Sequence, residues 1–368
     1  MIYLDYNATA PLREPAFAAM AEVMRAPGNP SSVHRQGRQA RRRVEEAREI
    51  IAAAINAPAA GVIFTSGGTE ANNLALTAFP GRRILASAVE HPSILKGKVD
   101  AIVPVDRFGV IDLAALDEML SAEKQPALLA LMLANNETGV IQPVAEAAAL
   151  AHRYGAWVHA DAIQAFGKIS VDLAALGLDS LSLSAHKIGG PQGMGALVLA
   201  DSEVDLQPLL VGGGQERRNR AGTENVAGIV GFGAAVADLG DLAVEVARVA
   251  ALRDRFERAA LDSLPGITIF GRKVSRLPNT SCLALPGVPA QTMLMALDLA
   301  GFAVSAGSAC SSGKVSPSPV LVAMGEERLA TSAIRVSLGW ASREEELDSF
   351  IGQFVSISER LVREHQPA

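Results

Sequence analysis

The residues with the clearest capacity for chemistry are Ser184-Ala185-His186-Lys187, followed by the glycine-rich turn Ile188-Gly189-Gly190-Pro191-Gln192-Gly193. A lysine at a strand end, beside a histidine and facing a flexible turn, can form a Schiff base with a carbonyl cofactor. A surface lysine after a strand has the same local pattern. The stretch Ser66-Gly67-Gly68-Thr69-Glu70 lies between an apolar run, 62–65, and a helical pattern reaching about residue 78. Strand, glycine turn and helix start together make an anion site, because free N–H groups and the helix dipole favour a phosphate. Thr69 adds a hydroxyl donor. The turn lacks the GK[ST] ending of a Walker loop and is not G-x-G-x-x-G. Gly-Gly-Thr also occurs as a plain N-cap. Asp161 ends the apolar run 156–161, where an unpaired carboxylate is costly. A protonated pyridine nitrogen would satisfy it, and so would a role as an N-cap. His91, just past a strand, suits stacking on a flat ring or a place in a turn.

These residues need a scaffold, and the pattern supplies one. Residues 178–183 alternate apolar and polar, which predicts a half-buried strand leading to Lys187. The continuous apolar run 127–133 predicts a strand covered on both faces, ending at the polar cluster Asn135-Asn136-Glu137-Thr138-Gly139. Open α/β sheets bind ligands at that carboxyl end. Further strands are predicted at 83–88, 101–105 and 156–161, with helices at 15–25, 113–121 and 143–154 between them. The α/β order implies a mainly parallel sheet in a large domain, about 15–250. A long helix over 225–261, continuous or broken at its glycines, is expected to link it to a smaller α+β domain formed by 251–368 and the first 14 residues.

Composition bounds the function. With 368 residues and 49% hydrophobic content, the chain can bury a large core without metals or disulfides. A formal net charge of −6 and the lack of a basic domain argue against nucleic acid as a partner. Two cysteines, Cys282 and Cys310, imply no disulfide framework and suggest a reducing, cytoplasmic setting. The longest apolar run, near 226–237, is too short for a membrane span. The six histidines show no metal-ligand spacing, so no resident metal is expected. Arg38, Arg41, Arg42, Arg43 and Arg48 interleave with glutamates, as on a solvated helix face with i,i+4 pairs. The loop 212–223, with four glycines and three arginines, should be mobile unless an anion or a partner orders it.

Taken together, the motifs resemble the cysteine desulfurases of the class V aminotransferase family, over essentially the whole chain. The stretches that carry the resemblance are residues 3–9, 28–32, 65–73, Glu90-His91, 135–139, 161–164, 184–187, 220–223, 307–313 and Arg335. The resemblance implies a fold type I transferase dependent on pyridoxal 5'-phosphate, with a seven-stranded sheet in the large domain. It implies that Lys187 holds the cofactor, that Asp161 pairs with its pyridine nitrogen, and that Gln164 and Asn136 bond its phenolic oxygen. His91 would stack on the ring and serve as a catalytic base. Gly68, Thr69, Ser184 and His186 would bind the phosphate, with Thr223 supplied by the neighbouring subunit of a homodimer. Arg335, helped by Asn136, would hold the carboxylate of L-cysteine. Cys310 would take the sulfur as a persulfide and pass it to an acceptor such as an iron–sulfur scaffold, with transient ligation of a cluster through that persulfide. Ala10 and Gly68 replace a frequent threonine and a frequent alanine without removing a reactive side chain. The segment 310–319 resembles the long-loop type that serves iron–sulfur assembly or nitrogenase maturation. A selenocysteine lyase, a non-catalytic scaffold and a nucleotide-binding oxidoreductase are the competing readings. The missing dinucleotide-binding glycines weigh against the last.

Overall fold

The computed structural model describes residues 1–307 and 316–365. A seven-stranded sheet has the order Val62–Thr65, Gly195–Leu199, Ser180–Ser184, Trp157–Asp161, Ala127–Ala130, Arg83–Ser87, Ala101–Val103. Gly195–Leu199 runs antiparallel to both neighbours, and the remaining pairings are parallel. Six strands therefore point their carboxyl ends the same way, which concentrates the intervening loops at one edge.

Side-chain alternation assigns each face of the sheet. Val62, Phe64, Leu129, Val158, Leu181 and Leu183 pack into one core with Val44, Ile51, Leu116 and Phe232 from the covering helices. Ile63, Ile84, Leu128 and Leu197 pack on the opposite face against Leu74 and Ala75 of the helix Gly68–Thr77. A third core joins Leu4, Val249, Phe256, Leu283, Phe302, Phe350 and Phe354. It covers a four-stranded antiparallel sheet ordered Ser305–Ala306, Ala333–Ser337, Thr280–Ala284, Thr268–Phe270. The N-terminal segment belongs to this second sheet region: Ile2–Tyr3 pairs with Phe302–Ala303, and Asp5 bridges to Ser337.

Ser180–Ser184 is buried throughout and not half-buried. Ser180 and Ser182 bond the buried His159 of the neighbouring strand, which in turn meets Asn72 of the helix Gly68–Thr77, so the period-two signal marks a buried polar layer and not solvent. The helical stretch expected over 225–261 is broken at a glycine into Val226–Ala237 and Leu242–Ser263, bent by 81°. Gly240 at φ +66 turns the chain, and Asp241 caps the second helix by accepting from Ala243 and Val244 N–H. No single helix among the described residues is long and apolar enough to cross a membrane.

The arginine-rich helix Arg35–Ala54 is only partly a solvated face. Arg42 pairs with Glu46 in the open, but Arg48 is buried and forms a two-pronged bond to Glu216, at 2.9 Å on each prong. Glu216 Oε2 also accepts the Phe64 N–H at 3.0 Å. This pairing orders the loop expected to be mobile. Glu216, Arg217 and Arg218 hold φ of 45°, 55° and 73°, a left-handed run that costs energy and persists because the ion pair fixes it. A second pair, Arg220 to Glu70 at 2.9 Å, ties the loop to the first turn of the helix Gly68–Thr77.

Candidate active site

A cavity of about 500 Å³ opens at the carboxyl edge of the large sheet, within the size range of small-ligand pockets. Ten residues expected to form a site line it. His91, Asn136, Asp161, Gln164, Lys187 and Arg335 surround the body of the cavity, and Gly68, Thr69, Ser184 and His186 form its floor at the helix start. A second cavity shares those last four residues and extends to Ser66, Gly67 and Gly193. Thr223 lines a different cavity, with Ser66, Gly193 and Arg220. Cys310 lies outside the described residues; Gly307, on its N-terminal side, lines the main cavity.

The phosphate-sized floor follows from local sequence. Gly67 holds φ +150, a conformation open to glycine, and lets the helix Gly68–Thr77 begin directly at the cavity with its first N–H groups unbonded within the helix. A Cβ on Gly68 would lie 2.1 Å from Ile163 Cδ1, so the missing side chain is what allows Ile163 its place. His186 bonds Thr9 Oγ1 through Nδ1 at 3.2 Å. Burial, aided by the charges of Lys187 and Lys168, drives its pKa down to about 4. It is neutral at pH 7 and can donate to an anion from one nitrogen.

Asp161 is 5% exposed. Its Oδ2 accepts from Asn72 Nδ2 at 2.8 Å and its Oδ1 from Ile163 N–H at 3.0 Å. Among the described residues it has no cationic partner within 4 Å. Arg335 is 4% exposed, donates to Asp5 Oδ1 at 2.7 Å and to the Asn136 carbonyl at 2.9 Å, and keeps Nε buried without a partner. A buried carboxylate without a cation and a buried guanidinium N–H without an acceptor, facing one cavity, fit a cationic ring nitrogen and an anionic substrate. The expected residues therefore fit pyridoxal phosphate.

Lys187 follows the buried strand Ser180–Ser184 in a single 3₁₀ turn. Its ammonium donates to the carbonyls of Asn7 and Ala8 at 2.6 and 2.8 Å. Gln164 donates through Nε2 to the same Asn7 carbonyl at 2.9 Å and accepts from Lys168 Nζ at 2.6 Å. Burial, with Lys187 and Arg335 nearby, lowers the pKa of Lys168 well below its ordinary value.

Residues 2–350 match the profile of the family described as Aminotransferase class-V. The chain belongs to the class V aminotransferases. Enzymes of this class work with pyridoxal 5'-phosphate. The class V relatives include a cysteine desulfurase IscS of Dictyoglomus turgidum, 41% identical over 98% of this chain and 95% of that one. A cysteine desulfurase of Cereibacter sphaeroides is 43% identical over 98% of this chain and 96% of that one. Among solved structures, a NifS-like protein from Rickettsia africae superposes with a TM-score of 0.90 at 36% identity, covering 98% of this chain and 99% of that one.

Sequence reasoning missed several residues of this class V site. Asn7 accepts from Lys168 and Asn279 on Oδ1, at 3.0 Å each, and donates from Nδ2 to Thr280 Oγ1 at 2.9 Å. Glu90 is buried between Ser87 Oγ and Met132 N–H, both at 2.7 Å from Oε1, and burial raises its pKa to about 8. Asn72 and Ser93 connect Asp161 to His91. Asn7, Asn72 and Glu90 lie inside the motif stretches, but residue type alone gave them no role. Glu137, also within a motif, bonds the Ser318 hydroxyl and packs so closely on Gly307 that a Cβ there would lie 2.2 Å from Oε2.

Proposed function

We propose that this chain is a pyridoxal phosphate-dependent cysteine desulfurase that converts L-cysteine to L-alanine. The carrying observation is the convergence of ten expected residues on one cavity whose lining carboxylate, guanidinium, lysine and helix start match this cofactor and an amino-acid carboxylate. When bound, the cofactor supplies an aldehyde that takes up an amine and a ring that withdraws electrons. Lys187 would hold it, and Asp161 would pair with its ring nitrogen. Gly68, Thr69, Ser184 and His186 would bind the phosphate. Gln164, itself held by Lys168, and Asn136 would hydrogen-bond the phenolic oxygen, and His91 would lie beside the ring. Arg335 offers the substrate carboxylate a planar fork and has Asp5 as its resting partner.

Cys310 receives the sulfur. The carbon–sulfur bond of cysteine breaks, a sulfur–sulfur bond forms on Cys310, and alanine leaves. The persulfide passes to an acceptor protein, an iron–sulfur scaffold being the kind that the IscS and NifS names of the relatives favour. A homodimer completes the site: Thr223 lies outside its own main cavity, and Leu209, Leu210 and Val211 present an exposed apolar stretch close to it in sequence. The cysteine usage supports a reducing, cytoplasmic setting.

The test is purified protein with pyridoxal phosphate and L-cysteine. Alanine should form in step with sulfide when a reductant is present. Mass spectrometry should find one added sulfur on Cys310, and Cys310→Ser should abolish its transfer. Lys187→Ala should lose the visible absorbance. No alanine from a fully loaded protein refutes the assignment. Faster turnover of selenocysteine without Cys310 would favour the lyase.

A further inference from the structure

We infer that Asn72 and Ser93 are positioning residues: together they hold Asp161 as a charged acceptor and fix His91 with its proton on Nε2, so His91 enters the reaction as a proton donor and not as a base. The inference rests on the cofactor roles proposed for Asp161 and His91.

The argument starts from a donor that cannot reverse. The Ser93 backbone N–H points at His91 Nδ1 at 3.1 Å, as the side-chain cap of a short helix, Pro92–Leu95. A backbone N–H only donates, so Nδ1 must be the bare nitrogen. Neutral His91 therefore carries its proton on Nε2. The second contact agrees, because Ser93 Oγ is 2.8 Å from the same Nδ1 and must donate to it.

The other end of the chain gives the same direction independently. Asp161 Oδ2 as a carboxylate only accepts, so the Asn72 atom 2.8 Å away is the amide nitrogen. Its second hydrogen goes to Ser93 Oγ at 2.8 Å. Having accepted there, the serine has its own hydrogen free for His91. Asn72 Oδ1 then faces His159 Nε2 at 3.3 Å, which must be the protonated nitrogen, while His159 Nδ1 accepts from Ser180 Oγ at 2.9 Å. His159 is fully buried and its pKa falls to about 3, so it is neutral and able to play that part. The reversed amide would set two acceptors against each other at Asp161. Donor direction is consistent from His159 through Asn72 and Ser93 to His91, with Asp161 as the branch.

The charged groups facing His91 are Asp161 from the adjacent strand and Lys187 from the turn beyond it. Protonating Nδ1 would place two donors nose to nose with the Ser93 N–H, and burial already lowers the pKa. His91 at neutral pH thus has no free lone pair to take a proton from the substrate thiol or ammonium. The first proton must leave by another group, and His91 can accept only after it has donated.

The experiment is nitrogen-15 NMR of histidine-labelled protein without cofactor, with His91→Gln used to assign the signal. The expected result is a single Nε2–H tautomer at pH 7.5, with protonation displaced below the ordinary imidazole range. An Nδ1–H tautomer, or titration near the ordinary value of about 6.5, overturns the inference. A second measurement uses Ser93→Ala in the cofactor-loaded protein. The pH midpoint of its visible absorbance should move by about one unit, the scale of one buried hydrogen bond, and Ser93→Thr should restore it. A structural role alone would lower stability and leave that midpoint in place; unchanged midpoints in both variants likewise overturn the inference. The NMR result needs no turnover, so it fails separately from the desulfurase assignment.

Discussion

Replacing Glu216 with alanine should destabilise the fold more than any exposed ion-pair deletion in this chain. The carboxylate faces Arg48 with both side chains about 5% exposed, accepts two guanidinium N–H groups at 2.9 Å and also receives the Phe64 N–H at 3.0 Å. Removing it leaves the buried guanidinium with only the half-exposed Glu45 carboxylate, at 3.1 Å from Nε, and the Val62 carbonyl, beside an apolar ring: Arg48 lies 4.7 Å over Phe64. Breaking a buried pair from one side costs about 3–5 kcal/mol, against about 0–1 kcal/mol for an exposed pair such as Arg42–Glu46. The left-handed run at Glu216, Arg217 and Arg218 should relax at the same time, which offsets part of that cost. Equilibrium urea unfolding at one protein concentration measures the difference. The second arm is the double variant Glu216→Ala, Arg48→Met, which removes both charges and keeps the methylenes. It should recover at least half of the loss. A Glu216→Ala cost below about 1 kcal/mol, or no recovery in the double variant, would refute the view that this pair fixes the loop.

Three other outcomes are expected. Glu90→Gln should preserve the fold at pH 7, because the native carboxyl is already protonated there. Its pKa is raised to about 8, so the native state holds its proton more tightly and loses stability as pH rises from about 4.5 through 8. Thermal melts across that range should show the loss in the wild type and a flatter profile in the variant. Gly68→Ala should weaken pyridoxal phosphate binding roughly tenfold, since the new Cβ would lie 2.1 Å from Ile163 Cδ1 and push that side chain toward the cavity. Adding Ile163→Val should restore it, read by spectrophotometric titration of the apoprotein. Arg335→Lys should cut kcat/KM for cysteine roughly 10- to 100-fold, because a point ammonium cannot replace a fork that loses about 1.5–3 kcal/mol of charged hydrogen bonding. Alanine formation as a function of cysteine concentration checks it, and unchanged kinetics would remove Arg335 from the substrate site.

Much of the site was readable because its chemistry demands particular types at particular junctions. A lysine after a strand, an aspartate ending an apolar run and a Gly-Gly-Thr helix start each announce themselves locally. What escaped depends on partners far away in the chain. Arg48 looked like one more surface cation in a charged helix because Glu216, the residue that buries it, lies 168 positions downstream. The serines of 180–184 looked half-exposed because alternation reports polarity and not whether water or another protein group satisfies it. Asn7, Asn72 and Ser93 have neutral amide or hydroxyl side chains, which occur everywhere; only the direction of their hydrogen bonds gives them meaning. The break at Gly240 was legible as a glycine within the helical stretch 225–261, whereas the cap role of Asp241 was not assigned.

Asn7 is fastened on both sides of the molecule. Its carbonyl receives the ammonium of Lys187, while its side chain grips Asn279 and Thr280 and its N–H reaches Ser337, on the antiparallel sheet that also carries Arg335. The first few residues thus behave as a rivet through two plates. The paired strands 280–284 and 333–337 therefore share one hydrogen-bonded connection with the cradle of Lys187, carried by a single asparagine.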